Sequence, residues 1–195
     1  MPNLNLVSAR LSDAAPTGAM LEYIVAGNGV FVRAEDARMS ACIPIARVYN
    51  PGLPDLAVDV QLKVIRRLSG AYLHSILASA RRRLPNEAAY QIVPDDPLPW
   101  RIVCPAQTAT PASVDYADHP EAVIDVHSHG HMAAFWSTTD NADEQGLRFY
   151  AVIGNIATDY PTLLVRVGVY GHHWPVSAAS LFDDCYPFVC GKETP

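Results

Sequence analysis

Ala122-Val-Ile-Asp-Val-His-Ser-His-Gly-His-Met-Ala-Ala-Phe-Trp-Ser-Thr-Thr-Asp140 is the stretch whose reading decides the rest of the chain. It begins as an apolar run and closes that run with His127 and His129, separated by one residue. On a strand, side chains two positions apart point to the same side, so the two imidazoles are placed to converge. Two neutral imidazoles and one carboxylate are a usual ligand set for catalytic zinc, with the fourth position left to water. Asp140 lies eleven residues beyond His129, where the chain is expected to turn from loop into helix and bring a carboxylate back. Ser137, three residues before Asp140, would share its side of a helical turn and set a hydroxyl donor beside the metal, able to stabilise an oxyanion. A His-x-His pair alone is weak, because such pairs also occur as ordinary surface or core residues; the serine and aspartate strengthen it. On the same strand face, His131 reads as a supporting or surface residue rather than a third imidazole ligand, and Asp125 as a group that could orient a histidine. Phe135 and Trp136 are expected to pack under the loop.

Working outward, a helix is expected from about Thr138 to Gly146, with Ser137 and the two threonines offering cap oxygens and acidic residues in the early turn. Two strands follow, RFYAVIG from Arg148 and TLLVRVGVY from Thr162, and His172-His173-Trp174 reads as a surface turn after the second. Upstream, Leu62, Ile65, Ser69, Leu73, Ile76, Ala80 and Leu84 recur at steps of three and four, one stripe of a helix. Arg81-Arg82-Arg83 fall in its last turn, where they complement the helix dipole, and Pro85 stops it. Short strands come between, AYQIV from Ala89, WRIVC from Trp100 and ASVDY from Ala112. Near the start, two β-branched and aromatic runs flank Gly27-Asn28-Gly29, a strong hairpin signal, and SACIPIARV follows. The turn cluster Asn50-Pro51-Gly52-Leu53-Pro54 is the best internal boundary, separating a β-rich segment, 1–55, from a domain over 56–195. The order predicts an α/β protein, a mixed sheet with helices on its faces and a β-rich N-terminal extension.

Composition narrows the partners. Fourteen basic residues against twenty acidic ones leave a net charge of −6, which argues against nucleic acid as the main ligand. No apolar run approaches the ~18 residues of a membrane span, and the N-terminus lacks a basic start followed by an apolar core, so a cytoplasmic protein is expected. Cys42, Cys104, Cys185 and Cys190 form no C-x-x-C pair and read as reduced thiols.

The central stretch resembles the JAMM metalloproteases, also called MPN+ or JAB. Their signature is an upstream glutamate, His-x-His-Pro, seven residues, a serine, two residues and an aspartate. Here His127-Ser128-His129, the seven residues Gly130–Trp136, then Ser137, Thr138-Thr139 and Asp140 reproduce that register. In the bacterial branch the glutamate follows a helix in a Pro-x-Glu-Ala context, and Pro85-Asn86-Glu87-Ala88 after the amphipathic helix makes Glu87 the match. The likeness covers roughly residues 57 to 175. A narrower likeness, to plasmid-associated members, rests on the N-terminal hairpin and on Gly130 in place of proline.

The resemblance implies a curved sheet flanked by helices, close to the cytidine-deaminase-like architecture. It also implies Zn²⁺ on His127, His129 and Asp140, with Glu87 as general base and Ser137 as oxyanion donor. The implied activity is that of a peptidase or isopeptidase acting after the C-terminus of a ubiquitin-like protein. Two departures stand out: Gly130 loosens the loop after the second ligand, and Tyr90 occupies a position that is usually glycine, which predicts altered access near Glu87. Two alternatives stay open: a non-catalytic scaffold binding a ubiquitin-like or plasmid-system partner, and a structural zinc with a fourth ligand such as His131 or Cys104. A His-x-His amidohydrolase barrel is disfavoured, since 195 residues are short for a barrel of about 250.

Overall fold

A computed structural model of the chain describes residues 7–11, 18–63, 67–95 and 100–191. Two main sheets build it. The first holds β1 (Val7–Leu11), β2 (Leu21–Ala26), β3 (Gly29–Glu35), β4 (Met39–Ala46) and β5 (Asp59–Leu62) in that order, with β1 parallel to β2 and the remaining pairs antiparallel. The expected hairpin is β2–β3, turning at Gly27-Asn28. The sheet continues past the Asn50–Pro54 turn to Leu62.

Next comes α1 (Ala71–Arg81), shorter than the apolar stripe predicted. Leu62 belongs to β5, and Ile65 lies outside the described residues. The helix starts late because the chain before it is engaged elsewhere. Leu68 donates its N–H to Leu181 O at 2.7 Å, and a Cβ on Gly70 would run into the backbone of Asp184. Leu73, Ile76 and Ala80 of the stripe are buried, joined by Leu77.

The remaining elements are β6 (Ala89–Pro94), β7 (Trp100–Val103), β8 (Gln107–Thr110), β9 (Ser113–Tyr116), β10 (Ile124–Ser128), α2 (Thr138–Asp143), β11 (Leu147–Gly154), β12 (Thr162–Val169), β13 (His172–Pro175), α3 (Ala178–Leu181) and β14 (Val189–Cys190). The second sheet runs β13-β12-β11-β10-β6-β7, with β14 beside β12, while β8 and β9 form a separate hairpin. The result is a mixed, strand-rich α/β arrangement in which the described helices are three and short, rather than a sheet covered by helices on its faces. His172-His173-Trp174 is an edge strand, not a turn: it pairs with Val169, Gly168 and Val167 and is half-buried.

A single core joins the two sheets. Val32, Ala34, Met39, Ala41 and Ile43 of the first pack with Leu73, Ile76 and Ala80 of α1 and with Tyr90, Ile92, Ile124, Val126 and Phe149 of the second. Arg38 ties the sheets at their margin, donating to Pro120 O at 3.0 Å and Ala122 O at 3.1 Å.

One topological fact positions the site. β10 is antiparallel to β6 but parallel to β11. Parallel neighbours cannot be joined by a tight turn and need a crossover of a dozen or more residues. Residues 129–146 are that crossover, and they carry His129, Ser137 and Asp140. It is pressed onto the sheet at Gly154, where a Cβ would run into the backbone of Met132–Ala134.

Candidate metal centre

β10 is buried along its whole length, and alternation divides its side chains. Ile124 and Val126 enter the core. Asp125 and His127 face the other way, into a cavity of about 570 Å³ lined also by Glu87, His129, Ser137 and Asp140. His129 lies just beyond the strand, its N–H donated to Ile153 O of β11 at 2.9 Å. The ring of Phe135 leans on the His129 ring edge-on, 4.3 Å between centroids, and is itself part-exposed.

The ligating atoms converge. His127 Nε2 is 3.1 Å from His129 Nε2 and 3.3 Å from Asp140 Oδ1, and one ligand atom from each residue lies within 4.8 Å of the others. Tetrahedral zinc with bonds of about 2.0–2.1 Å sets its ligand atoms about 3.3 Å apart, so these separations suit such an ion. The protonation states suit it too. Burial drives the His127 imidazole down to about 4, against the pull of the Asp140 carboxylate, and burial lowers His129 as well. Both rings are therefore neutral at pH 7 and offer lone pairs. Burial pushes Asp140 the other way, but His127 and the bonds from Ser137 outweigh it and hold the carboxyl below its usual range.

Asp140 and Ser137 are joined more closely than a shared helical face. Ser137 is the N-cap of α2: its Oγ accepts the Asp140 N–H at 3.1 Å, while its own N–H is donated to Asp140 Oδ2 at 2.6 Å. This reciprocal capping box spends one carboxylate oxygen on the backbone and leaves Oδ1 for His127 and a metal. α2 ends at Asp143, short of the predicted Gly146, with Glu144 as its C-cap.

Glu87 reaches the same cavity from the other side. Ser128, fully buried between the two histidines in sequence, holds the segment after it: Ser128 Oγ accepts the Ala88 N–H and Ser128 N–H is donated to Ala88 O, both at 2.9 Å. The Glu87 N–H is donated to Thr110 O of the β8–β9 hairpin at 2.9 Å, and the Gln107 amide brackets Ala89 by bonding both its N–H and its C=O. Only 5% of Glu87 is exposed, and burial pushes its carboxyl up to about 7, reinforced by the nearby Asp140 charge. A carboxyl tuned near neutrality suits proton transfer in both directions.

Several expectations change. Tyr90 does not approach Glu87's cavity; β6 alternation turns it into the main core beside Ile92, so the usual glycine position is not a barrier here. Asp125 orients no histidine: its Oδ2 accepts from Arg148 at 2.7 Å. His131 is exposed on a turn rather than on a strand, and Cys104 is exposed, with Arg83 and Gln107 donating to its sulfur. Among the described residues no fourth histidine, cysteine or acid joins the cluster, so a structural four-ligand zinc lacks its partner. Trp136 does not pack under the loop on apolar neighbours alone, for the Arg166 guanidinium lies 3.8 Å over its ring. The sequence reasoning missed Ser128, Gln107 and Arg166. Only Arg166 left a signal, as a charge inside the apolar run TLLVRVGV.

A mixed sheet in which a strand and the parallel crossover after it bring two histidines and an aspartate to one point defines an α/β domain with a centre that could hold a metal. Residues 70–166 match the family described as prokaryotic homologs of the JAB domain. A solution structure of protein DSY2949 from Desulfitobacterium hafniense is similar over 66% of this chain and 94% of its own, at 14% identity and a TM-score of 0.39. No curated protein matches the chain. No helix among the described residues is long and apolar enough to cross a membrane.

Proposed function

We propose that the protein is a zinc-dependent peptidase or isopeptidase of the JAMM type, holding Zn²⁺ on His127, His129 and Asp140. The observation that carries this is the convergence of those three ligand atoms within 4.8 Å in the cavity that Glu87 also lines. Zinc, when bound, supplies Lewis acidity, which polarises a carbonyl oxygen and lowers the pKa of a bound water toward about 7. Glu87 is the proton carrier: its carboxylate takes a proton from the attacking water and returns it to the leaving amine. Ser137 Oγ accepts from the Asp140 N–H, so its own O–H remains to donate to the developing oxyanion.

The substrate we propose is the bond after the C-terminus of a ubiquitin-like protein, or a conjugate of one, following from the family resemblance. The size of the cavity supports it, since about 570 Å³ has room for an extended tail, and so does its position between β9 and the crossover. The N-terminal hairpin and Gly130 support a likeness to the plasmid-associated PRTRC system protein A, and the proposed place of action is the cytoplasm. The test measures zinc content of the full chain and cleavage of ubiquitin-like fusions, beside Glu87→Gln. The reading expects about one zinc in both proteins and cleavage lowered by about 10²–10⁴ in the variant. A folded chain that takes up no zinc would leave the partner-binding scaffold instead.

A further inference from the structure

The third ligand is carried by an element that has no hydrophobic anchor. α2 contains six residues, and none of their side chains is buried. A helix this short has no stability of its own in water, and without an apolar face it cannot borrow any from the core. The capping box closes its first turn but joins it to nothing outside. The fixed point comes from β12.

Arg166 stands on the face of β12 opposite the core-facing Leu163, Val165, Val167 and Val169, yet only 5% of it is exposed. Its Nε lies 2.7 Å and its Nη2 2.6 Å from Glu144 Oε2, while Nη1 donates to Asn141 Oδ1 at 2.6 Å. The face of the guanidinium covers the Trp136 ring at 3.8 Å. These partners are the residue before the N-cap, the residue after Asp140, and the C-cap. Glu144 closes the loop by donating its N–H to Asp140 O at 3.0 Å. From the neighbouring strand, His173 Nε2 reaches the Glu144 backbone carbonyl oxygen at 3.2 Å, backing the pair.

We propose that Arg166 is a positioning residue for Asp140: a single buried guanidinium grips α2 at both ends and between, and so sets the carboxylate at its distance from His127. The proposal rests on the reading that His127, His129 and Asp140 bind a metal. Only arginine fits the role, because hydrogen bonds to two residues, an ion pair and one stacking face are used at once, and lysine offers neither a fork nor a plane.

The test uses the full chain with Arg166→Met, Arg166→Lys, and each combined with Asp140→Ala. Zinc affinity is measured by chelator competition, and the geometry of the site by the visible absorption of cobalt(II). Supporting-shell changes at metal sites cost about 10–100-fold in affinity, and that loss is expected for Arg166→Met, with partial recovery in Arg166→Lys. In the Asp140→Ala background the same substitution should change zinc affinity by less than about twofold, because the residue it acts through is gone. In the metal-free protein, α2 amides should exchange faster in Arg166→Met while β10 amides keep their protection.

Arg166→Met also leaves the Glu144 carboxylate buried without its cation. If that variant fails to fold, Trp136→Leu and Asn141→Ala carry the test, since each removes one grip and leaves the ion pair. Zinc affinity within twofold of wild type in the folded variants would overturn the proposal, as would an equal loss in the Asp140→Ala background. A wild type that binds no zinc overturns the metal reading and this proposal together, whereas wild type and variant binding zinc equally overturns only this one.

Discussion

β10 and α2 supply the same centre by opposite means. β10 is buried at every residue and sits between β6 and β11, so His127 is held by a ladder on both sides and by Ile124 and Val126 in the core. α2 has six residues with none buried, and its place is set by the Ser137–Asp140 capping box and the Arg166 pairs. Apolar packing is non-directional and cooperative across the domain, whereas charge-assisted hydrogen bonds act locally and depend on angle. One centre thus joins a candidate ligand whose loss of position would mean unfolding to a candidate ligand that can shift while the fold stays intact.

Removing a ligand gives the largest effect. His127→Ala should abolish stoichiometric zinc binding while leaving the circular dichroism spectrum native, because no core contact is lost; metal analysis beside a thermal melt checks both. Retained zinc would break the comparison by showing that His127 is not a ligand.

Packing comes next. Ile124→Ala empties part of the core under β10 and should cost about 2–5 kcal/mol, read as a lower urea midpoint at unchanged slope. If instead only the zinc affinity fell, the strand would be as local a support as the helix.

Ser137→Ala acts on the other side and should be smaller. Loss of an N-cap side chain costs about 1 kcal/mol, and here it should appear as faster amide exchange confined to α2 rather than as a change in global unfolding. A drop in the global midpoint equal to that of Ile124→Ala would erase the distinction.

The smallest effect concerns pH. Burial depresses His127 to about 4 and lowers His129, so protons compete poorly with zinc. Zinc affinity should therefore fall less between about pH 8 and about pH 6 than it would on ordinary imidazoles of pKa about 6.5. The sign follows for the metal-free protein as well. Where the folded pKa lies below the unfolded one, neutral imidazole favours the folded state above about pH 6.5, and that contribution is lost as pH falls toward about 4. Calorimetric titration at several pH values, with buffer protonation subtracted, measures the first statement, and urea unfolding at the same values measures the second.

Much of the site was legible because its residues lie close together in sequence. His127 near the end of β10 and His129, Ser137 and Asp140 in the crossover that follows lie within fourteen residues, and their register is local information. Glu87 is forty residues away, and only its motif context pointed to it; its place depends on β6 lying beside β10 and on Ser128 holding Ala88. The stripe from Leu62 to Leu84 marked a helix correctly but overran its start, because periodicity cannot show that the chain before Gly70 pairs with Leu181 and Asp183. His172–Trp174 was misread because an isolated half-polar strand has no pattern of its own, and only an open edge at β12 makes it one.

By itself, then, the sequence determined the alternation of core and solvent positions, the hairpin at Gly27-Asn28 and the candidate ligands, all of which follow from short-range periodicity and spacing. The tertiary structure alone decided the parallel pairing of β10 with β11, the burial that sets Glu87 near neutrality and keeps the imidazoles uncharged, and the grip of Arg166 on α2. Each of these depends on which distant segments lie side by side, since desolvation and hydrogen-bond geometry arise from the packed neighbours rather than from the residue's own place in the chain.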